Sequence, residues 1–196
     1  METTNYTSED TTAQTELKGD IFGMNHIIKV EPFTKEAFAP YGHVLLREPG
    51  VPPIKTVPPI FVDRIPFEVD DGTAEFVYAL LKRKEFRFSS LERHLKVTQG
   101  FFPLYGGPAI ISVAPATDPN DLEALPSANS VRCFLLESYT AFVLHRGIWH
   151  GTILPVEESF GYILATRKAT TDDSINPLYD GDCQIRDLGV TFEIQL

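Results

Sequence analysis

Short segments rich in β-branched and aromatic residues recur along the chain, and this feature constrains the fold most. Examples are "AEFVYALLK" (74–82), "AIISVAP" (109–115) and "VRCFLLE" (131–137). Gly, Pro, Asp or Asn bounds each segment, and no stretch between them keeps a long helical period. Segments of this length and spacing are typical of antiparallel sandwiches and barrels. The sequence therefore predicts a mainly β fold, an antiparallel barrel or jelly roll with a few short helices.

The chain of 196 residues is long enough for one sizeable core. Residues 1–23 are polar and acidic and hold few apolar groups, so we expect a disordered tail there and a single barrel domain over 24–196. Thr34 is expected to cap a helical turn, and "DPNDLEALP" (118–126) is expected to form another one or two. The proline-rich segment 49–60 excludes a central strand and predicts an extended loop that lies over a pocket.

Charge and cysteine usage exclude several classes of partner. A formal net charge of −10 disfavours nucleic acid and anionic membranes, which would repel the surface. The apolar runs are too short to span a bilayer, and the N-terminus lacks the charged and apolar regions of a secretory signal. Cys133 and Cys183 lie far apart, without the spacing of a disulfide framework or a structural zinc site. These features predict a cytoplasmic protein that acts on a small molecule.

The first stretch with chemical potential is "LERHLKVTQGFFP" (91–103). Glu92 and His94 point to the same face if they lie on a strand, and Gln99 follows shortly after. A carboxylate, an imidazole and an amide that converge are suited to bind a divalent metal or to hydrogen-bond a polar substrate. The alternative is a buried His–Glu hydrogen bond without a further role.

The second stretch is "HRGIWHGTI" (145–153), where His145 and His150 flank a glycine and the chain's only tryptophan, Trp149. An imidazole titrates near neutral pH, so His150 is suited to be a metal ligand or a base. His145 is expected to shape the turn. Trp149 is expected to line a pocket or to belong to the core.

Together these stretches resemble a known family. The pattern H-x-G-x-x-H is similar to the second motif of the cupin superfamily, and 91–99 is similar to a degenerate first motif. The blocks "IKVEPFTKEAFAPYGHVL", "LERHLKVTQGFFPL", "IISVAP", "VRCFLLES" and "HRGIWH" occur in the order and spacing of the ureidoglycolate lyases.

This resemblance implies a cupin-type barrel, a homodimer and the cleavage of ureidoglycolate to glyoxylate and urea by C–N bond elimination. It implies a carbon–nitrogen lyase of the amidine-lyase type, which works in allantoin degradation within purine catabolism. A divalent metal, nickel or manganese, is the candidate cofactor, with Glu92, His94, Gln99 and His150 as its ligands. The implied catalytic residues are His150, His94 and Glu92. Arg132 matches an arginine of the family pattern and is suited to bind the substrate carboxylate. The other candidate substrate-binding residues are Gln99, Lys82, Arg167, Trp149 and Tyr139.

Departures from the family pattern leave two other hypotheses open. Gly151 and Thr152 follow His150 where the family commonly has histidine and proline, and Thr166 replaces an aspartate. A divergent cupin lyase, cyclase or isomerase that acts on a larger carboxylic-acid or natural-product intermediate is therefore the second hypothesis. A non-catalytic cupin that binds a small acid is the third.

Overall fold

A computed structural model describes residues 25–45, 55–57, 60–62, 64–175 and 181–196. The described part is mainly β, with two short α-helices, α1 (Lys35–Phe38) and α2 (Lys168–Ile175), and a 3₁₀ helix at Ala128–Ser130. The strands are β1 (Asn25–Pro32), β2 (Gly42–Leu45), β3 (Lys55–Val57), β4 (Ile60–Val62), β5 (Ala74–Lys82), β6 (Arg87–His94), β7 (Gln99–Gly106), β8 (Ala109–Ala114), β9 (Arg132–Leu136), β10 (Ala141–Leu144), β11 (Trp149–His150), β12 (Leu154–Pro155), β13 (Ser159–Arg167) and β14 (Cys183–Gln195). Within these residues no helix is long and apolar enough to cross a membrane.

The larger sheet has seven strands in the order β11-β6-β14-β1-β9-β8-β12. Because β11 also pairs with β8, six of these strands close into a ring. The two-residue strand β11 makes this closure, since Trp149 lies opposite Ala114 on β8 and His150 lies opposite Glu92 on β6. The "WH" dipeptide therefore joins the two ends of the barrel wall.

The smaller sheet has five antiparallel strands in the order β2-β10-β7-β13-β5. Its long strand β13, next to the edge strand β5, pairs with β5 over its full length, from Ser159 opposite Lys82 to Arg167 opposite Ala74. On its other side β13 pairs with β7, with a register shift between Gly161 and Tyr162. Leu164 and Thr166, further along β13, line the pocket described below.

Two apolar clusters stabilise the two layers. One fills the ring and contains Trp149, Leu91 and Phe192. The other lies between the two sheets and is rich in aromatic residues, with Phe101 and Phe142 stacked at 4.7 Å between ring centroids. Alternate residues of β8 serve the two clusters, because successive side chains of a strand point to opposite faces.

The structure confirms the predicted mainly β barrel with few short helices, and Thr34 caps α1 by accepting a hydrogen bond from the Ala37 amide at 3.1 Å. Two expectations need correction, and a third concerns residues outside the described ranges. The ring is not wholly antiparallel, because β1 runs parallel to both β14 and β9. Residues 118–126 form turns instead of a helix. The expected tail, 1–23, lies outside the described residues.

Of the proline-rich segment 49–60, the structure describes only residues 55–57 and Ile60, and the rest lies outside the described residues. The described part is not a loop, since β3 and β4 pair as a separate two-stranded sheet. The sequence also gave no signal for α2, whose hydroxyl-bearing residues cover one side of the pocket described next.

Candidate functional site

Four polar side chains from three neighbouring strands meet on the outer side of the ring. Glu92 and His94 come from β6, where alternation places them on one face. Cys183 of β14 lies directly opposite His94, and His150 of β11 lies directly opposite Glu92. The predicted convergence of Glu92, His94 and His150 is therefore present, with Cys183 as a fourth member.

His150 is held on both of its ring nitrogens. Nδ1 lies 3.1 Å from the carbonyl oxygen of Ile148, so this nitrogen carries a proton and donates it. Nε2 lies 3.5 Å from Oε1 of Glu92. When Nδ1 carries the proton, a neutral ring has only a lone pair on Nε2, which would repel the carboxylate. A second proton between Nε2 and Oε1 makes this contact attractive. Glu92 and His150 thus form a pair suited to hold one exchangeable proton.

His94 is buried, and neither ring nitrogen has a hydrogen-bond partner within the described residues. Burial, and then the neighbouring His150, lower the pKa of His94 from 6.5 to about 3. The imidazole is therefore neutral at physiological pH. A buried neutral imidazole with an unused lone pair is suited to bind a metal ion or a polar ligand.

Cys183 is the site residue that sequence reasoning missed. Its Sγ lies 3.9 Å from Oε2 of Glu92. Glu92, His94 and Cys183 each offer one ligand atom within 4.8 Å of the others. Burial, and then the charge of Glu92, raise the pKa of this thiol to about 12. No spacing signal pointed to it, because 91 positions separate it from Glu92 and it lies where the family pattern was weakest.

Two of these side chains, Glu92 and His94, line a cavity of about 160 Å³ between the two sheets. Its polar lining consists of Glu92, His94, Gln99 and a series of hydroxyl groups, and its apolar lining of Val77 and Leu164. The Gln99 Oε1 and Thr166 Oγ1 atoms are buried without a hydrogen-bond partner within the described chain. The hydroxyl-bearing lining residues are Thr166, Thr170, Thr171 and Ser174.

His150 is not among the lining residues, since it lies behind Glu92 and only 3% of its surface is exposed. The lining within the described residues also includes no arginine and no lysine. An anionic ligand in this cavity would thus contact hydroxyl groups. A positive charge to balance the ligand would have to come from a group outside this lining, such as a bound metal ion.

The buried Asp182 fixes α2 and the end of β6 relative to each other. Its carboxylate accepts hydrogen bonds from the backbone N–H groups of Leu95 and Lys96, both at 2.8 Å, and from the Thr170 hydroxyl. Arg167 adds a contact of 3.3 Å to the same carboxylate and pairs with Asp71 at 2.7 Å. Arg167 therefore shapes the pocket wall rather than lining the pocket.

Four other predicted substrate-binding residues lie away from the pocket. Arg132 pairs with Glu31, and Lys82 lies near Glu158 at the surface. Tyr139 is 76% exposed with a positive φ. Trp149 is fully buried inside the ring, donates to Thr117 at 3.1 Å and lies under the Arg93 guanidinium. Of the predicted substrate-binding residues, only Gln99 lines the cavity.

The two histidines that flank Trp149 have different environments. His145 contacts His43 edge to face, with 4.6 Å between ring centroids, and its backbone N–H donates to Tyr41. Burial lowers its pKa. His145 therefore belongs to the turn, as expected, whereas His150 lies behind the pocket against Glu92.

Comparison with known proteins gives one consistent result. The family model described as "Ureidoglycolate lyase" matches residues 25–186. The ureidoglycolate lyase of Pseudomonas paraeruginosa (strain DSM 24068 / PA7) is 27% identical over 174 residues, which cover 81% of this chain and 94% of that protein. The ureidoglycolate lyase of Pseudomonas fluorescens (strain Pf0-1) is 28% identical over 155 residues, which cover 71% of this chain and 84% of that protein.

Among solved structures, RmlC from Streptococcus suis in complex with dTDP-D-xylose aligns with 48% of this chain and 44% of that chain. The identity is 9% and the TM-score is 0.36. A likeness this low does not establish a common fold.

Proposed function

The chain belongs to the ureidoglycolate lyase family, and from this premise we propose that it cleaves ureidoglycolate into glyoxylate and urea. The reaction makes it a carbon–nitrogen lyase of the amidine-lyase type. The observation that carries the proposal is the Glu92 carboxylate, which lines a small polar cavity and is backed by His150.

The chemistry needs one proton to move from oxygen to nitrogen. The hydroxyl of the substrate loses its proton to Glu92, the C–O bond becomes the carbonyl of glyoxylate, and the C–N bond breaks. The departing nitrogen then takes the proton and leaves as urea. One group can carry this proton, because it acts first as the base that accepts it and then as the acid that returns it. Glu92 touches the substrate, and His150 is a positioning residue that shares the proton.

His94 is assigned a different task. Its pKa of about 3 makes it a poor proton acceptor at neutral pH. Its two ring nitrogens instead hold the substrate or a metal ion by a lone pair or a hydrogen bond. We assign the Gln99 Oε1 atom to accept from the ureido N–H groups and the Thr166 hydroxyl to donate to the carboxylate, since both residues line the cavity and both atoms are buried without a partner within the described residues.

The donor set also fits a divalent metal ion. Glu92 and His94 would hold it, because they offer a carboxylate oxygen and an unpartnered imidazole nitrogen close together. Such an ion would supply positive charge to a pocket whose described lining has no arginine or lysine. The bound ion would attract the negatively charged carboxylate of the substrate and hold it in the pocket.

Cavity size distinguishes this proposal from the rival with a larger substrate. Pockets for drug-sized ligands occupy roughly 300–1,000 Å³, whereas this cavity is about 160 Å³. The small α-hydroxy acid of the proposal suits it better than a bulky natural-product intermediate. The purely binding alternative is disfavoured by the Glu92–His150 pair, since holding a small acid does not require an exchangeable proton.

We also propose that the protein forms a homodimer through the outer face of the five-stranded sheet. Phe76, Tyr78 and Leu80 project from the edge strand β5 and are 78%, 54% and 45% exposed. Tyr105 extends this patch, since its hydroxyl contacts that of Tyr78. A contiguous apolar patch on a chain of net charge −10 is typical of an interface between copies.

The two free, buried cysteines support the expected cytoplasmic location.

A time course with racemic ureidoglycolate tests the activity. Purified protein is assayed for glyoxylate, urea and ammonia, with and without a chelator and with nickel or manganese added back. We expect glyoxylate with an equal amount of urea and no ammonia. Ammonia would indicate a hydrolase, and the absence of turnover under every condition would refute the proposal.

A further inference from the structure

We propose that Cys183 is a metal ligand, so that a divalent ion binds between Cys183, His94 and Glu92. The inference depends on the proposed function only for the use to which the ion is put. Binding itself can be measured without substrate.

The first step is the placement of the thiol. Cys183 and His94 are directly opposed residues of the antiparallel pair β14 and β6, so their side chains leave the sheet on the same face. Glu92 lies two residues before His94 on that face. The three potential ligand atoms lie within 4.8 Å of one another, close to the separation of about 4.4 Å between two ligands on opposite sides of one ion.

A cysteine alone would not make a site, and the second observation is His94. This side chain is 4% exposed, and neither of its ring nitrogens has a hydrogen-bond partner within the described residues. Buried polar atoms normally have partners, and leaving one unsatisfied destabilises the folded protein. A bound ion at this position would satisfy one of the two nitrogens.

The two carboxylate oxygens of Glu92 face different neighbours. Oε1 lies 3.5 Å from His150, and Oε2 lies 3.9 Å from Cys183. An ion on the Cys183 side therefore takes Oε2 and leaves Oε1 for proton transfer with His150. Metal binding and the proposed acid–base role of Glu92 are compatible.

The donor set selects the ion. A thiolate and an imidazole favour borderline ions such as nickel, cobalt and zinc, whereas manganese and magnesium favour oxygen donors. Nickel is thus a better occupant than manganese, although both were candidates from the sequence.

Cobalt(II) is the probe, because a thiolate ligand gives a charge-transfer absorption band in the near ultraviolet. The full-length protein is stripped with a chelator and titrated with Co²⁺. We expect this band to saturate at one equivalent and to be lost in Cys183→Ser. The matched control is Cys133→Ser, which removes the other buried free cysteine, located inside the ring, and should keep the band.

Circular dichroism and thermal melting check that each variant is folded. If Cys183→Ser does not fold, Cys183→Ala and the competition below carry the test. Nickel or zinc should displace cobalt from the wild-type protein, and an equal concentration of manganese should not. We expect the substitution to weaken Co²⁺ binding at least about 10-fold.

Persistence of the band in Cys183→Ser, or its absence from the wild-type protein at saturating cobalt, would overturn the inference. These results are separable from the lyase assay. An enzyme that turns over without the cobalt band keeps the proposed function and loses the metal ligand. A protein that shows the cobalt band but no turnover keeps the metal ligand and loses the proposed function.

Discussion

The Nε2 atom of His150 lies 3.5 Å from Oε1 of Glu92, while the other ring nitrogen of His150 faces the Ile148 carbonyl. The backbone contact orients the ring, and the ring places a proton-holding group behind the carboxylate that lines the cavity. This arrangement of a carboxylate supported by an oriented imidazole is the basis of the first two predictions.

Glu92→Gln should abolish most of the lyase activity, because an amide of the same shape cannot accept the hydroxyl proton. We expect kcat to fall by about 10²–10⁴-fold, the usual contribution of a general base. The measurement is steady-state kinetics with ureidoglycolate. Glu85→Gln, at an exposed site beside Arg87, is the control and should retain activity. Full activity in Glu92→Gln would rule out the assigned role.

His150→Gln should lower kcat and change the shape of its pH profile, because the amide retains hydrogen bonding but cannot exchange a proton with Glu92. A purely structural role would instead lower the amount of folded enzyme and leave the shape of the profile unchanged. The test is a kcat profile across pH 5–9 with the folded fraction measured at each pH. An unaltered profile would count against proton sharing.

His94 should make the metal-free protein less stable in acid. The pKa of His94 is about 3 in the folded protein and 6.5 for an ordinary histidine, as in the unfolded chain. Below pH 6.5 the unfolded chain therefore binds a proton that the folded chain does not. The free energy of unfolding therefore falls as the pH decreases, by up to about 2 kcal/mol from this group at pH 5. Urea denaturation at pH 7.5 and pH 5 measures it, and His94→Asn should show a correspondingly smaller loss. An equal loss in both proteins would contradict the prediction.

The two cysteines should be unreactive in the folded, metal-free protein. Burial is the main cause that raises the pKa of Cys133 and of Cys183 to about 12. A thiol with that pKa is a thiolate in roughly one molecule in ten thousand at pH 8, and the thiolate is the reactive form. Ellman's reagent should therefore report almost no thiol until denaturant is added, and then both. Rapid labelling of the native protein would be inconsistent with this burial.

Phe76→Glu should weaken the proposed dimer, because it places a charge in the centre of the apolar patch on β5. Light scattering after size exclusion should show a shift from dimer to monomer. Leu125→Glu, at a 44% exposed apolar residue outside the two sheets, is the control and should remain dimeric. A wild-type protein that is monomeric at high concentration would exclude the interface.

The sequence predicted those parts of the molecule that depend on local pattern. Short apolar segments between turn residues predicted a mainly β fold, because strand alternation and turn chemistry are local properties. Alternation also placed Glu92 and His94 on one face. Resemblance of ordered blocks connected these residues to His150 and to the family.

Pairing between distant segments was decided only by the tertiary structure. The antiparallel pairing of the C-terminal strand β14 with β6 puts Cys183 directly opposite His94, and no local signal encodes that register. Cys183 reaches Glu92 and His94 only for this reason. In the same way, the fold decided that Arg132 and Lys82 lie away from the pocket, where each lies beside an acidic side chain, Glu31 and Glu158 respectively.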